Sequence, residues 1–173
     1  HCWEMEHLAL DGEEVSHGFK VAVGTMAMVL LYEDLLRLDE SECYGQDQQS
    51  WAEREADIRS HFTDERIVLQ TLTIAREKFV EGEALVERRR LLAGVLPKLK
   101  ERIGEQLPPF DELRSALALV GAPTTAMEIG SDLDGLKRAV RGAQMIRNRY
   151  TILDLYYELG LYDRALNVLE GLV

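Results

Sequence analysis

The twelve residues Val21-Ala22-Val23-Gly24-Thr25-Met26-Ala27-Met28-Val29-Leu30-Leu31-Tyr32 carry no charge, and only Gly24 and Thr25 among them are not apolar. The run is well short of the ~20 residues a bilayer span needs. It also lacks the basic flank and small-residue cleavage site of a signal peptide. It is therefore expected to be a helix that other parts of the chain bury on nearly all sides. A chain of 173 residues, 46% hydrophobic, has the material to enclose it. At ~100–200 residues per domain, residues 1–173 read as a single domain. The apolar share is too high, and the charge too mixed, for a disordered chain.

The remaining pattern is helical throughout, and strand-like alternation is absent. The first helix is predicted over 18–38, followed by a polar loop over 39–49. An amphipathic helix follows over 49–61. Thr63-Asp64-Glu65 supplies an N-cap and first-turn acids for a helix with apolar residues at Ile67, Leu69, Leu72, Ile74 and Phe79. A long charged stretch over 83–103 contains Pro97, which is expected to kink or break it. Pro108-Pro109 sets up a helix over 110–120, ended by Gly121-Ala122-Pro123. Ser131 and Asp134 resemble a capping box for a helix reaching 147. Thr151 caps a helix over 152–159, Gly160 ends it, and a last helical stretch covers 162–172. The expected fold is all-α, with about eight helices and no internal linker.

The formal net charge is -11, and residues 1–50 hold 11 acids against only Lys20 and Arg37. Such a balance repels phosphates, which argues against nucleic acid or an anionic membrane as the main partner. The acidic end is either a solvated face or a surface that met something positive. Cys2 and Cys43 are too few for a disulfide framework, so a reducing cytoplasm is the expected compartment. The chain opens on His1-Cys2-Trp3 without a Met, and reads as a piece of something longer.

Chemistry-bearing motifs are sparse. A phosphate loop, a dinucleotide fingerprint and a nucleophile elbow are all missing from the sequence. The cysteines have neither CxxC nor His-partner spacing. Three of the four histidines, His1, His7 and His17, fall within the first 17 positions, which raises a metal hypothesis because imidazole is a common transition-metal ligand. His17 stands out among them. It sits at the start of the buried helix and is followed by Gly18, so a rigid element holds the ring where a ligand can approach. His7 and His61 read as surface or helix-end residues.

His17-Gly18-x-Lys20-Val21-Ala22-x-Gly24-Thr25, with His1-x-Trp3-Glu4-Met5 upstream, resembles the glycerol-1-phosphate dehydrogenases. These belong with dehydroquinate synthase, glycerol dehydrogenase and the iron-containing alcohol dehydrogenases. Two further stretches are similar to the same family: Ile146-Arg147-Asn148-Arg149-Tyr150-Thr151-Ile152-Leu153-Asp154-Leu155, and Glu128-Ile129-Gly130 leading into Leu136-Lys137-Arg138-Ala139. The resemblance runs along nearly the whole chain in order, with specificity only in the two end motifs.

The resemblance implies that these residues are the helical C-terminal domain of a two-domain enzyme whose N-terminal α/β domain binds NAD(P). That domain would be the chief partner, and the whole enzyme a homo-oligomer. In the family an acidic residue and two His hold a divalent metal; His17 matches the second His, and the other two ligands would precede residue 1. Zinc suits such a set, and nickel or iron would also be accommodated. His1 matches a His that lines the active site, where it would polarise or protonate the substrate oxygen. Lys20 would contact the substrate phosphate, or cover apolar surface with its stem. Phe19 stands where the family usually has Glu, which removes a carboxylate from beside the metal. Arg147 and Arg149 are expected to bridge carboxylates and fix the last helices.

The implied reaction is reduction of dihydroxyacetone phosphate to sn-glycerol 1-phosphate. The 173 residues alone would be inactive, having one metal ligand and no hydride source. Alternatives are a dehydroquinate synthase-like lyase, another polyol dehydrogenase of the superfamily, or a non-catalytic helical interaction domain that binds through its acidic end.

Overall fold

The computed structural model describes residues 2–4, 15–39, 43 and 49–173. It is all-helical, with no strand among the described residues. The helices are α1 (His17–Arg37), α2 (Trp51–His61), α3 (Glu65–Lys78), α4 (Gly82–Gln106), α5 (Phe110–Leu119), α6 (Leu133–Met145), α7 (Ile152–Glu158) and α8 (Tyr162–Val168). Short 3-10 turns occupy Met127–Ile129 and Leu169–Leu172, and residues 2–4 are also helical. Among the described residues, no helix is long and apolar enough to cross a membrane. The predicted loop over 39–49 falls mostly outside the described residues.

α1 is the axis. It contains the apolar run and packs against α4, α5, α7, α8 and the final 3-10 turn. Val23, Met26, Ala27, Leu31 and Leu35 are fully buried along it. The expected all-round burial holds for most of its surface, but Val21 and Thr25 are exposed. Asp34 ties α1 to the C-terminal helices: Arg164 donates to both its oxygens (2.8 Å each), and the Tyr156 hydroxyl donates to Oδ2 (2.7 Å). Burial works to raise the Asp34 carboxyl, but the bonds from Arg164 and Tyr156 outweigh it and hold it below the usual range. Glu33 reaches across to the Phe110 backbone N–H (2.7 Å) and caps α5, which has no local side-chain cap. Two acids of the negative N-terminal third are thus consumed inside the fold.

Local signals set most helix ends. Ser50 and Glu53 form a reciprocal capping box on α2, as do Thr151 and Asp154 on α7. Asp64 caps α3, and Gly121 and Gly160 adopt positive φ just past the ends of α5 and α7. Three expectations are corrected. α6 is capped by Asp132, whose carboxylate accepts from the Gly135 N–H, and not by Ser131, and it ends at Met145. α4 runs unbroken from Gly82 to Gln106 through Pro97. Pro97 and Ala93, whose carbonyl loses its partner, both lie on the exposed side, where water can satisfy that oxygen. On α3 the buried residues are Val68, Thr71 and Ala75, while Leu69 is 54% exposed.

The α2–α3 pair packs on α6 through a small core of Ile58, Ala75 and Met145. Beside it lies a buried polar network. Lys78 Nζ donates to Asp154 Oδ1 (2.6 Å), as does Gln144 Nε2 (2.8 Å), and buried Arg54 donates to Gln144 Oε1. Arg88 pairs with Glu158 (3.2 Å), whose other oxygen accepts from the Tyr150 hydroxyl (2.9 Å). The space left among these groups is ≈ 20 Å³, about one water molecule, so the network joins helices instead of holding a ligand. These residues fix the C-terminal helices; Arg147 and Arg149 are exposed and enter none of the ion pairs among the described residues, contrary to expectation.

His61 ends α2, as the helix-end reading expects, and is half-buried. Its Nε2 is buried without a partner among the described residues, and it shares with Cys2 Sγ the space that a side chain on Gly142 would fill. Burial, then the Arg138 charge, lowers its pKa below the ordinary 6.5; Arg141 and Arg54 act the same way, and Asp57 opposes them. An imidazole with a depressed folded pKa stabilises the fold fully above its unfolded pKa, and that stability is lost as pH falls. Urea denaturation between about pH 7 and pH 5 should therefore show the native chain losing more stability than His61→Phe. Parallel curves for the two proteins would discard this assignment.

Candidate functional site

A groove of ≈ 400 Å³ runs between the N-terminal half of α1 and α6. Its walls are largely apolar: Val21, Ala27 and Met28 from α1, and Leu136, Ala139 and Val140 from α6. Small residues keep it open; a Cβ on Gly24 would meet nothing within 4 Å. The polar groups it gathers are His17, Lys20 and Thr25 of α1, with Cys2 and Trp3 from the N-terminal segment. Apolar walls around a few convergent polar groups are the usual make-up of a small-molecule site. A second groove of ≈ 410 Å³, lined by Tyr32, Leu99, Arg102 and Ile103 among others, has no buried polar group in its lining.

The α1 N-terminus explains where His17 sits. Ser16 is the N-cap, with its Oγ accepting from the Phe19 N–H (3.3 Å), so His17 is the first helical residue and emerges at the groove mouth. Its Nδ1 hydrogen-bonds the Glu4 carboxylate. A carboxylate only accepts, so Nδ1 carries the proton and the lone pair of the neutral ring is on Nε2. The Glu4 carboxyl lies below its usual range, first because of this bond. The position expected to lack a carboxylate therefore has one: Phe19 is 43% exposed, and Glu4 orients the imidazole from the other side. Glu4 lies 13 positions from His17, so nothing local in the sequence marks it for this role.

Lys20 is buried at 6% exposure although it is charged, and it lines the groove. No carboxylate or carbonyl among the described residues hydrogen-bonds its ammonium, and Glu4 is a charge it influences. Trp3 is 8% exposed, lines the same groove, and its indole N–H is buried without an acceptor. A buried donor left unsatisfied costs about 1–3 kcal/mol, so the enclosed Trp3 N–H calls for an explanation. Cys2 and Cys43 are both buried thiols.

His1, expected at the substrate oxygen, and His7 lie outside the described residues. The structure brings His17, Lys20 and Trp3 to one groove, with Glu4 bonded to His17. A metal site requires more than this chain displays: no group of three His, Cys, Asp or Glu suited to a metal occurs among the described residues. The donor chemistry fits one ligand, a neutral imidazole whose second nitrogen is held by a carboxylate, the arrangement typical of metal-binding His.

No family model matches the chain, and no solved structure matches it. Curated relatives do. The chain is 28% identical over 164 residues to a glycerol-1-phosphate dehydrogenase (NAD(P)+) of Geobacillus stearothermophilus, covering 92% of this chain and 31% of the relative. It is 50% identical over 44 residues, 25% of its length, to the enzyme of the same name from Haloquadratum walsbyi, covering 13% of that protein. The Haloarcula marismortui enzyme of that name matches at 50% over 42 residues, 24% of this chain and 12% of the relative. The chain thus spans at most about a third of the length of these relatives.

Proposed function

We propose that these residues form the helical domain of a metal- and NAD(P)-dependent glycerol-1-phosphate dehydrogenase that reduces dihydroxyacetone phosphate to sn-glycerol 1-phosphate. The observation that carries the reading is His17, oriented by Glu4 at the mouth of a groove containing buried Lys20, in a chain similar over 92% of its length to an enzyme of that name. His17 would hold the metal through Nε2, with the remaining ligands supplied from beyond these residues. Zinc suits such a site, and nickel and iron are compatible with it. When bound, the metal polarises the substrate carbonyl and the coenzyme provides the hydride.

The chain's own residues bind and orient. Glu4 fixes the His17 tautomer and ring plane. Lys20 offers the substrate phosphate a positive charge inside apolar walls, where an ion pair is stronger than in water. Leu136, Ala139 and Val140 keep water from that end of the groove. The partner implied is a nucleotide-binding domain of the same protein, in a cytoplasmic homo-oligomer.

The test is NAD(P)H oxidation driven by dihydroxyacetone phosphate. The full-length protein should show turnover, and these 173 residues alone should not, because they carry one metal ligand and no nucleotide-binding fingerprint. Full-length protein inactive with this substrate under every divalent metal tried would reject the proposal.

A further inference from the structure

Lys20 and Trp3 share a property that no other pair in the groove has. Both residues are more than nine-tenths buried and each carries a hydrogen-bond donor; the Trp3 Nε1 is enclosed without an acceptor, and no hydrogen bond to the Lys20 ammonium occurs among the described residues. One comes from α1 and the other from the N-terminal segment, so the fold brings two unmatched donors to one groove from separate stretches of chain. An ammonium wants a negative charge, and an indole N–H can only donate. A single oxyanion satisfies both.

We propose that the Trp3 indole N–H is a second anion donor, closing with Lys20 on the terminal phosphate of a small phosphorylated polyol or ketose. The inference rests on the reading of Lys20 given above and extends it: Trp3 becomes a substrate-positioning residue. Val21, Met28, Leu136 and Val140 form apolar wall around Lys20 and Trp3, and Thr25 and His17 are further polar groups of the same groove. The Trp3 N–H is itself buried. Engaging the phosphate therefore requires the indole to tilt toward the groove, and that movement changes the surroundings of the ring.

The chain contains two tryptophans. Trp51 is remote in role, packing edge-on against Phe79 with Arg76 over its face. In a Trp51→Phe background Trp3 is the sole indole. Titration with inorganic phosphate and with sn-glycerol 1-phosphate should each give a saturable change in its emission, while glycerol should give none. Calorimetry of the otherwise native chain should show phosphate affinity falling about tenfold or more in both Trp3→Phe and Lys20→Met. Circular dichroism of each variant verifies that the helices persist.

If Lys20→Met weakens phosphate binding and Trp3→Phe does not, the role of Trp3 is overturned while that of Lys20 stands. If calorimetry detects binding that leaves the emission and both variants unaffected, phosphate binds elsewhere, and both assignments fall. If neither phosphate compound binds, the anion subsite itself is refuted. Equal binding of glycerol would show that the groove reads hydroxyls and not charge, which also refutes it.

Discussion

Asp154→Ala is expected to destabilise the fold by about 3–5 kcal/mol, measured by urea denaturation, because it strips the partner from a buried cation. The Lys78 side chain is 15% exposed and that of Asp154 5%. Burial pushes the Lys78 ammonium below its usual range, and the bond and charge of Asp154 only partly restore it. Without the carboxylate, Lys78 must either deprotonate or stay charged in a buried site with the Gln144 carbonyl as its remaining bonded acceptor. The same oxygen accepts from Gln144, and the other caps α7 by accepting from the Thr151 N–H (2.8 Å). Loss of that cap alone is worth about 1 kcal/mol. The double variant Lys78→Met/Asp154→Ala should regain more than half of the loss, since no unpaired charge then remains buried. A single-variant cost below about 1 kcal/mol would mean that water reaches the network and the pair is effectively a surface bridge.

Asp154 also shows which parts of this molecule its sequence discloses. Thr151 with Asp154 three residues on reads as a helix start because both halves of the capping box are local. So do Ser50 with Glu53, and the glycines at 121 and 160. The same Asp154 is a hub of the buried network, and that role is invisible: Arg54 and Gln144 are 90 positions apart, Lys78 and Asp154 76. Nothing in a helical period marks which exposed-looking arginine or lysine will meet a carboxylate from another helix. Arg147 and Arg149 seemed the better candidates for tying down the C-terminal helices because they adjoin them, yet Arg88, Arg164 and Lys78 do that from a distance.

Near-misses have local causes. Ser131 and Asp132 are both competent caps, and which one ends up outside the first turn depends on how the chain leaves the preceding 3-10 turn. Pro97 looks like a breaker in one dimension; only burial shows that its side of α4 faces water. The groove is legible in half. His17 and Lys20 announce themselves by preceding an apolar helix with Gly18 between them. Trp3 and Glu4 come from a separate segment; Trp3 reaches the groove, and Glu4 its partner His17, only through tertiary packing.

His17→Ala in the full-length protein is the prediction on which the proposed function bears most directly. If His17 is one of three ligands, as proposed, its removal deprives the metal of its fixed coordination. Bound metal, measured after gel filtration, should fall to background, and turnover with dihydroxyacetone phosphate should fall with it. Glu4→Gln is the finer test. Gln keeps the size and an acceptor oxygen but loses the charge, so the Nδ1 bond survives in weakened form and the imidazole becomes a poorer donor. Metal affinity should drop about 10–100-fold, the usual range for a carboxylate behind a metal-binding His, while added metal restores turnover. A structural role for Glu4 would instead lower thermal stability and leave metal affinity unchanged. The two variants separate the possibilities: if His17→Ala retains its metal, His17 is no ligand and Glu4 orients nothing of consequence. If His17→Ala loses the metal but Glu4→Gln binds it normally, the ligand stands and the orienting carboxylate is somewhere other than Glu4.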